Sequence, residues 1–143
     1  MERTLIIVKP DGVRRGLVGT VIDRFERRGF RIVKLDVQTI ARADATRHYH
    51  HLADRPIFQE LLDYVTGGPS VLIVFERDSD AIKVARSLIG ATNPADALPG
   101  TIRGDFGTVL PENVVHASDS PESFSREVAI FFPDEAEELV GVG

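Results

Sequence analysis

Two short, uninterrupted apolar segments constrain the fold of this chain more than any other feature. Residues 4–8 and 71–75 contain almost only aliphatic and aromatic side chains. Runs of this length are typical of strands that are buried on both faces of a sheet. Residues 30–40 mix β-branched residues with charges, which predicts a strand with one wetter face, and residues 113–116 form a shorter strand candidate.

Helical periodicity lies between these strands. Val18, Val21, Ile22 and Phe25 share one helix face, and Gly29 supplies a C-terminal stop. Four further helices are expected. The first follows a cap at Asp44 and runs through His48, Tyr49 and Leu52, and the second runs from Pro56 to Gly67. The third runs from Ser79 or Asp80 to Gly90, and the fourth follows the cap Ser120 and begins with Pro121.

The order of elements predicts an α+β fold made of one domain, residues 1–143. Two βαβ units in tandem fit a ferredoxin-like sandwich, a four-stranded antiparallel sheet with helices on one face. Residues 91–111 show no periodicity and contain several prolines and glycines, so we expect a long inserted loop there. Long loops in compact domains often carry function, which makes this segment the first place to look for chemistry.

Composition excludes several classes of protein. The chain has no cysteine, which rules out disulfides, thiolate metal sites and a cysteine nucleophile. Its net charge of −5 argues against binding nucleic acid or an anionic membrane through overall charge. The apolar runs are far shorter than a membrane span and the N-terminus lacks a signal-peptide pattern, so we expect a cytoplasmic protein.

His116 and Lys9 are the first candidates for chemistry. Lys9 ends the first apolar strand, where an ammonium group must face either water or an anion. His116 enters the cap of the last helix, near Ser118 and the carboxylate of Glu127, which are able to orient an imidazole nucleophile. Taken alone, each has an ordinary structural explanation as well.

A second group of polar residues would suit a polyphosphate. Arg86, Thr92 and Arg103, together with Lys9, offer cations and a hydroxyl to an anion in a net-acidic protein. No Walker-type loop or dinucleotide fingerprint is present. His48, His50 and His51 lack the favoured metal-binding spacing and are interpreted as surface or lining residues.

Four strings in register resemble the nucleoside diphosphate kinase family. They are TLIIVKPDGV at 4–13, TNPAD at 92–96, PGTIRGDF at 99–106 and NVVHASDS at 113–120. The resemblance implies a ferredoxin-like fold and Mg²⁺-dependent transfer of the γ-phosphate, mainly from ATP, to a nucleoside diphosphate by a ping-pong route through a phosphohistidine. It also implies use of all bases, with Mg²⁺ bound mainly through the nucleotide phosphates and no protein metal site.

The resemblance also assigns roles to individual residues. His116 matches the nucleophile, and Glu127 and Ser118 match the residues that position its ring. Contacts to the nucleotide are implied for Lys9, Tyr49, Ile57, Leu61, Arg86, Thr92, Arg103 and Asn113. The family forms dimers along the second strand, usually assembled into hexamers and sometimes tetramers, so a homohexamer or homotetramer is expected.

The sequence departs from the family at three points. Ile57 stands where a phenylalanine usually stacks on the base, and Phe58 is a possible substitute if the helix rotates. Ala117 replaces the glycine that usually follows the histidine, so the backbone there must accept a Cβ. The segment Glu76 to Asp80 is one residue longer than is typical of the family, and the tail 139–143 is atypical.

Two alternative functions remain open at this point. A ferredoxin-like domain can bind RNA on an open sheet face, but that requires exposed strand aromatics and a basic sheet. A catalytically silent relative, kept as an interaction protein, is the other alternative. Phosphorylation of His116 would separate the enzyme from both.

Overall fold

The computed structural model describes residues 1–141; residues 142–143, which end the predicted domain and its tail, lie outside the described part. Four strands form one antiparallel sheet: β1 Glu2–Val8, β2 Arg31–Gln38, β3 Ser70–Arg77 and β4 Val115–Ala117. Their order is β2-β3-β1-β4, which makes β1 and β3 central and β2 and β4 the edges. The predicted ferredoxin-like sheet is thereby confirmed.

The helices of residues 1–141 follow the predicted order, with three short additions. They are α1 Pro10–Arg14, α2 Val18–Glu26, α3 Arg42–His48, α4 Phe58–Thr66, α5 Ala81–Ile89, α6 Ile102–Phe106, α7 Pro121–Phe131 and α8 Ala136–Val140, with 3₁₀ turns at His50–Leu52 and Pro94–Asp96. The additions α1, α6 and α8 are five residues long, too few to show a helical period, so the sequence did not reveal them.

Helices pack against both faces of the sheet, and the expectation of helices on one face is wrong. Leu5 and Ile7 of β1 point into one core, which α3, α4, α7 and α8 cover. Ile6 and Val8 point into a second core, which α2, α5 and α6 cover. The continuous apolar run of β1 already required two buried faces, because alternate side chains of a strand point in opposite directions.

Helix boundaries confirm some predicted caps and correct others. Asp80, Gly90 and Ser120 flank helices as predicted, and the Ser120 hydroxyl accepts from the backbone N–H of Ser123. Asp44 is no cap, because α3 begins at Arg42 and Asp44 lies in its first turn. The helix expected from Pro56 begins at Phe58 instead.

The segment 91–111 contains more structure than its sequence suggested. Asn93 caps the 3₁₀ turn Pro94–Asp96, and the Thr101 hydroxyl caps α6 by accepting from the N–H of Gly104. These local hydrogen bonds replace the missing apolar periodicity. Among residues 1–141, no helix is both long enough and apolar enough to cross a membrane.

Candidate active site

Strand β4 sets the direction of His116. It pairs with β1 so that His116 lies opposite Ile7. The neighbours Val115 and Ala117 are fully buried in the second core. His116 therefore points toward the opposite face of the sheet, where its side chain keeps 20% of its exposure.

A chain of hydrogen bonds fixes the His116 ring. Its Nε2 lies 2.8 Å from Oε2 of Glu127 in α7, and Ser118 Oγ donates to Oε1 of the same carboxylate at 2.6 Å. Ser118 Oγ also accepts from the backbone N–H of Leu5 at 3.1 Å. Because the carboxylate accepts a hydrogen bond from Nε2–H, the neutral ring has its lone pair on Nδ1, the atom free to act as a nucleophile.

Lys9 lies in the same region, directly after β1. Its backbone N–H donates to the carbonyl of Val114 at 2.8 Å, and its Nζ donates to Oδ1 of Asn113 at 2.8 Å. Asn113 Nδ2 in turn donates to the carbonyl of Thr92 at 2.9 Å. Burial, with the Arg103 guanidinium nearby, lowers the pKa of Lys9 to about 7.

Two arginines meet at the ends of β4. Arg103 is 4% exposed and donates to the carbonyls of Gly90 at 3.0 Å and Val115 at 2.7 Å. Burial, and the charge of Arg86, lower the pKa of Arg103 to about 10, so it stays charged at neutral pH. Arg86 donates to the carbonyl of Ala117 at 3.2 Å and is otherwise exposed. The region therefore carries two arginine charges, one of them buried.

Val114 adopts a strained backbone conformation just before β4. Its φ is +72°, a value that β-branched residues rarely take. The Asp11 carboxylate accepts from the N–H of Val114 at 3.1 Å and from the Tyr64 hydroxyl. Burial raises the pKa of Asp11. Strain of this kind costs on the order of 1–3 kcal/mol and persists only where surrounding contacts impose it. Asp11 is thus a positioning residue that sequence reasoning missed.

A cleft of about 320 Å³ opens beside this region. Its lining includes six residues to which the resemblance assigned ligand contacts: Lys9, Tyr49, Ile57, Leu61, Thr92 and Asn113. His116, Arg86 and Arg103 do not line the cleft. Arg103 is connected to the cleft through Asn113, whose carbonyl accepts from its guanidinium at 3.4 Å.

Ile57, at the N-cap of α4, and Phe58, its first residue, differ in what they offer the cleft. Ile57 is 54% exposed, so its side chain is available to a flat ligand. Phe58 is 8% exposed and belongs to the first core. Phe58 therefore cannot replace the missing aromatic at Ile57, which corrects that expectation.

His48 was misinterpreted from the sequence as a surface or lining residue. It is 3% exposed and packs edge-on against His116, with ring centroids 4.6 Å apart. His50 and His51 are exposed, as expected. A signal was present, since Ala45 and His48 are spaced i, i+3 on α3 and both turn inward.

Tyr49 lies between the cleft and the His116 group. Its ring packs edge-on against that of His48 at 4.4 Å. Burial, and the charge of Glu127, raise the pKa of its hydroxyl, which therefore remains protonated. A protonated phenol at this place is able to donate a hydrogen bond to an anion in the cleft.

Ala117 shows how the chain accepts a side chain after the histidine. It lies in extended β4 backbone and its methyl group is completely buried in the second core. The Cβ therefore fits without strain.

Comparisons with known proteins agree with one another. A family model described as nucleoside diphosphate kinase matches residues 2–137. A nucleoside diphosphate kinase of Archaeoglobus fulgidus is 57% identical over 135 residues, which cover 94% of this chain and 89% of that protein. One of Methanosarcina mazei is 58% identical, with the same coverage of 94% and 89%.

Solved structures give the same result. A nucleoside diphosphate kinase family protein from Babesia bovis matches with a TM-score of 0.88 and 42% identity, covering 95% of this chain and 91% of that one. The apo nucleoside diphosphate kinase from Encephalitozoon cuniculi matches with a TM-score of 0.91 and 36% identity, covering 95% and 92%.

Proposed function

The chain belongs to the nucleoside diphosphate kinase family, and we propose that it moves the γ-phosphate of a nucleoside triphosphate, mainly ATP, to a nucleoside diphosphate through His116. Phosphotransfer between nucleotides is the activity that its membership and its relatives support. The observation that carries the proposed route is the Nε2 contact of His116 with Glu127, which leaves Nδ1 as the nucleophile.

The reaction balances over two half-steps. Nδ1 of His116 attacks the γ-phosphorus, an N–P bond forms, and the bond to the bridging oxygen breaks so that the diphosphate leaves with that electron pair. A terminal oxygen of a second diphosphate then attacks that phosphorus, a P–O bond forms, and the N–P bond breaks so that its electron pair returns to Nδ1. Glu127 and Ser118 hold the ring throughout, because their hydrogen bonds lie on the side away from the phosphorus.

Positive charge is the main contribution of the remaining residues. Phosphoryl transfer depends on positioning and on stabilising charge at the equatorial oxygens. Lys9, Arg86 and Arg103 provide that charge, and Thr92, Tyr49 and Asn113 provide hydrogen-bonding groups for phosphate and sugar. Removal of one such donor is expected to cost about 10²–10³ in rate.

The residues present fit a magnesium ion that arrives with the nucleotide. Within residues 1–141, one group of three His, Asp or Glu side chains is close enough to share a metal ion. It consists of His48, His116 and Glu127 and offers two nitrogens and one carboxylate. Mg²⁺ prefers oxygen ligands and commonly binds through substrate phosphates. When bound there, Mg²⁺ would neutralise charge on those phosphates.

Weak discrimination between bases follows from the cleft. Ile57 and Leu61 offer apolar contact to a base but no hydrogen-bonding group that reads its edge. We expect ribo- and deoxyribonucleotides of all bases to be used. Exchange velocities that spread over several orders of magnitude among diphosphates would contradict this.

Assembly and location complete the proposal. Edge strand β2 exposes Ile32, Val33, Leu35 and Val37, an apolar edge suited to pairing with a second copy. The proposed state is a homo-oligomer built from such dimers, a hexamer or a tetramer. Its proposed place is the cytoplasm, with nucleoside di- and triphosphates as partners, no membrane and no specific nucleic acid.

Labelling with γ-³²P ATP tests the route. The protein should acquire an acid-labile, base-stable label and show parallel-line ping-pong kinetics in exchange assays. His116→Asn should lose both label and turnover while keeping its circular dichroism spectrum. His50→Asn is the matched control, since His50 is exposed and outside the site. Comparable turnover in His116→Asn would refute the assigned role.

A further inference from the structure

His48, His116 and Glu127 form a group that the proposed reaction uses only in part. One ligand atom from each lies within 4.8 Å of the others. Oε2 of Glu127 is 2.8 Å from Nε2 of His116 and 3.8 Å from Nδ1 of His48. The side chains of His48 and Glu127 are 4% and 3% exposed, so the group lies below the surface.

Nδ1 of His48 is buried and has no hydrogen-bond partner. Buried polar atoms without a partner are rare because losing water costs free energy that no contact restores. Edge-on packing against Tyr49 and Phe131 fixes the ring in this orientation. Burial holds the pKa of His48 well below its ordinary value, so its imidazole stays neutral and keeps a lone pair.

The donor set matches that of a zinc site with an open position. Two imidazole nitrogens and one carboxylate oxygen bind Zn²⁺ in several catalytic sites, with a fourth position left for water. Metal–ligand bonds of about 2.0–2.1 Å place tetrahedral ligands about 3.3 Å apart. The distances of 2.8 and 3.8 Å to the carboxylate bracket that value. Ser118 already orients the carboxylate from outside, as partners of metal ligands commonly do.

We propose that His48 Nδ1, His116 Nε2 and Glu127 Oε2 form a binding site for Zn²⁺ that switches off the kinase. A metal on Nε2 uses the lone pair of that nitrogen, so the proton of the neutral His116 ring moves to Nδ1. A protonated Nδ1 has no lone pair with which to attack phosphorus. Inhibition thus follows from the tautomer and leaves the nucleotide cleft open.

The charges around the site determine how the ion binds. Glu127 is the one negative ligand, whereas Lys9 and Arg126 face the group as cations. Their repulsion weakens binding of a divalent ion and keeps it reversible. A chelator should therefore restore activity.

Direct binding tests the site without any nucleotide present. Untagged protein is titrated with ZnCl₂ by calorimetry and with Co²⁺ by visible absorption, which reports four-coordinate geometry. We expect one ion per chain. His48→Phe keeps the aromatic packing but removes the ligand atom. It should weaken Zn²⁺ binding more than about tenfold, because removing a residue that only hydrogen-bonds to a metal ligand already costs about that much. His51→Phe, at an exposed position, should bind like wild type.

Inhibition tests the consequence, which rests on the proposed function. Added Zn²⁺ should lower kcat for exchange with little change in KM, and a zinc-selective chelator should reverse the loss. His48→Phe should keep its own uninhibited rate in Zn²⁺, whereas His51→Phe should be inhibited.

Three outcomes would overturn the inference. They are no bound ion in wild type, equal Zn²⁺ affinity in wild type and His48→Phe, or Zn²⁺ inhibition that raises KM and leaves kcat unchanged. If circular dichroism shows that His48→Phe does not fold, Glu127→Gln decides, since it removes the charge but keeps the shape, and unchanged affinity would refute the site. An ion bound by a protein whose His116 never takes label would instead refute the proposed function and leave the site standing.

Discussion

Lys9 shows how a single side chain combines burial with charge. It is 7% exposed, and burial shifts its pKa from 10.5 to about 7. Between about pH 7 and 10.5 the unfolded chain therefore holds a proton that the folded chain releases. Since the unfolded state binds more protons there, this group makes the free energy of unfolding rise with pH across that window.

Nucleotide binding should reverse the shift at Lys9. Phosphate charge favours the ammonium form, so we expect binding of ADP at pH 8 to take up a fraction of a proton. Calorimetry in two buffers of different ionisation enthalpy measures that uptake. Lys9→Met should lose it and Lys83→Met, at an exposed site, should keep it. Binding of ADP by wild type without proton uptake would show that Lys9 is already charged.

Ile57 is the residue at which a substitution is expected to raise the affinity of the cleft for a nucleotide. It is 54% exposed, so a larger ring fits there without displacing the core. An aromatic contact adds about 1 kcal/mol, and Ile57→Phe should therefore bind ADP about fivefold more tightly. The dissociation constant measures this, with Ile57→Leu as an aliphatic control. Tripolyphosphate, which has no base, should bind Ile57→Phe and Ile57→Leu equally. Tighter binding of tripolyphosphate by Ile57→Phe would show that the gain does not come from contact with the base.

Strand β4 is the element on which the site depends most. It is three residues long, yet it presents His116 on one face and anchors Val115 and Ala117 in the core on the other. Its neighbours at either end, Val114 and Ser118, are held by Asp11 and Leu5. Short strands tolerate little loss of packing.

Ala117→Gly should weaken this element. The change removes a fully buried methyl group and adds backbone freedom, at a combined cost of about 1–2 kcal/mol in the free energy of unfolding. Urea denaturation measures the cost, and the exchange rate should stay close to that of wild type because Arg86 contacts only the carbonyl of residue 117. A more stable Gly variant would mean that the Cβ is strained.

Elements differ in how well their sequences predicted them. The apolar runs of β1 and β3 and the stripe of α2 are long enough for their periods to appear, and they lie where expected. The segment 91–111 is held by the side-chain caps Asn93 and Thr101, which leave no periodic signal. The position of His48 against His116 depends on how α3 docks on the sheet, which is a tertiary contact that local sequence does not encode.

Site residues divide in a similar way. In the sequence, Lys9 and His116 stand out at the ends of predicted strands, and the resemblance implied the other proposed nucleotide contacts. Asp11 lies in one of the family strings but was given no role, and His48 was interpreted as a surface or lining residue; their contacts in the folded chain identified both. Residues that position a site by contacting its members are identified from the folded structure rather than from the sequence.

At the scale of the whole molecule, edge strand β2 is the largest exposed apolar feature among the strands. Leu35 and Val37 are 49% and 65% exposed and point the same way. An uncovered edge of this kind invites pairing with another chain. The other edge strand, β4, is shorter and carries the site.

Leu35→Glu should split the proposed assembly. A dimer along β2 would bring two introduced carboxylates together in an apolar contact, where both are poorly solvated. Light scattering should then show a smaller particle than wild type, whereas Ala43→Glu, on the exposed side of α3, should leave the size unchanged. Identical particle sizes for Leu35→Glu and wild type would place the interface on another surface.

The bond between Lys9 and Asn113 joins residues 104 positions apart. His116 in turn needs Glu127, which is eleven residues further on. A ribosome making this protein must therefore release residues 9–127 before the groups that we propose to hold phosphate meet. Until then the proposed ATP site is incomplete. ATP binding can therefore stabilise chains in which these contacts have formed, but not shorter nascent chains.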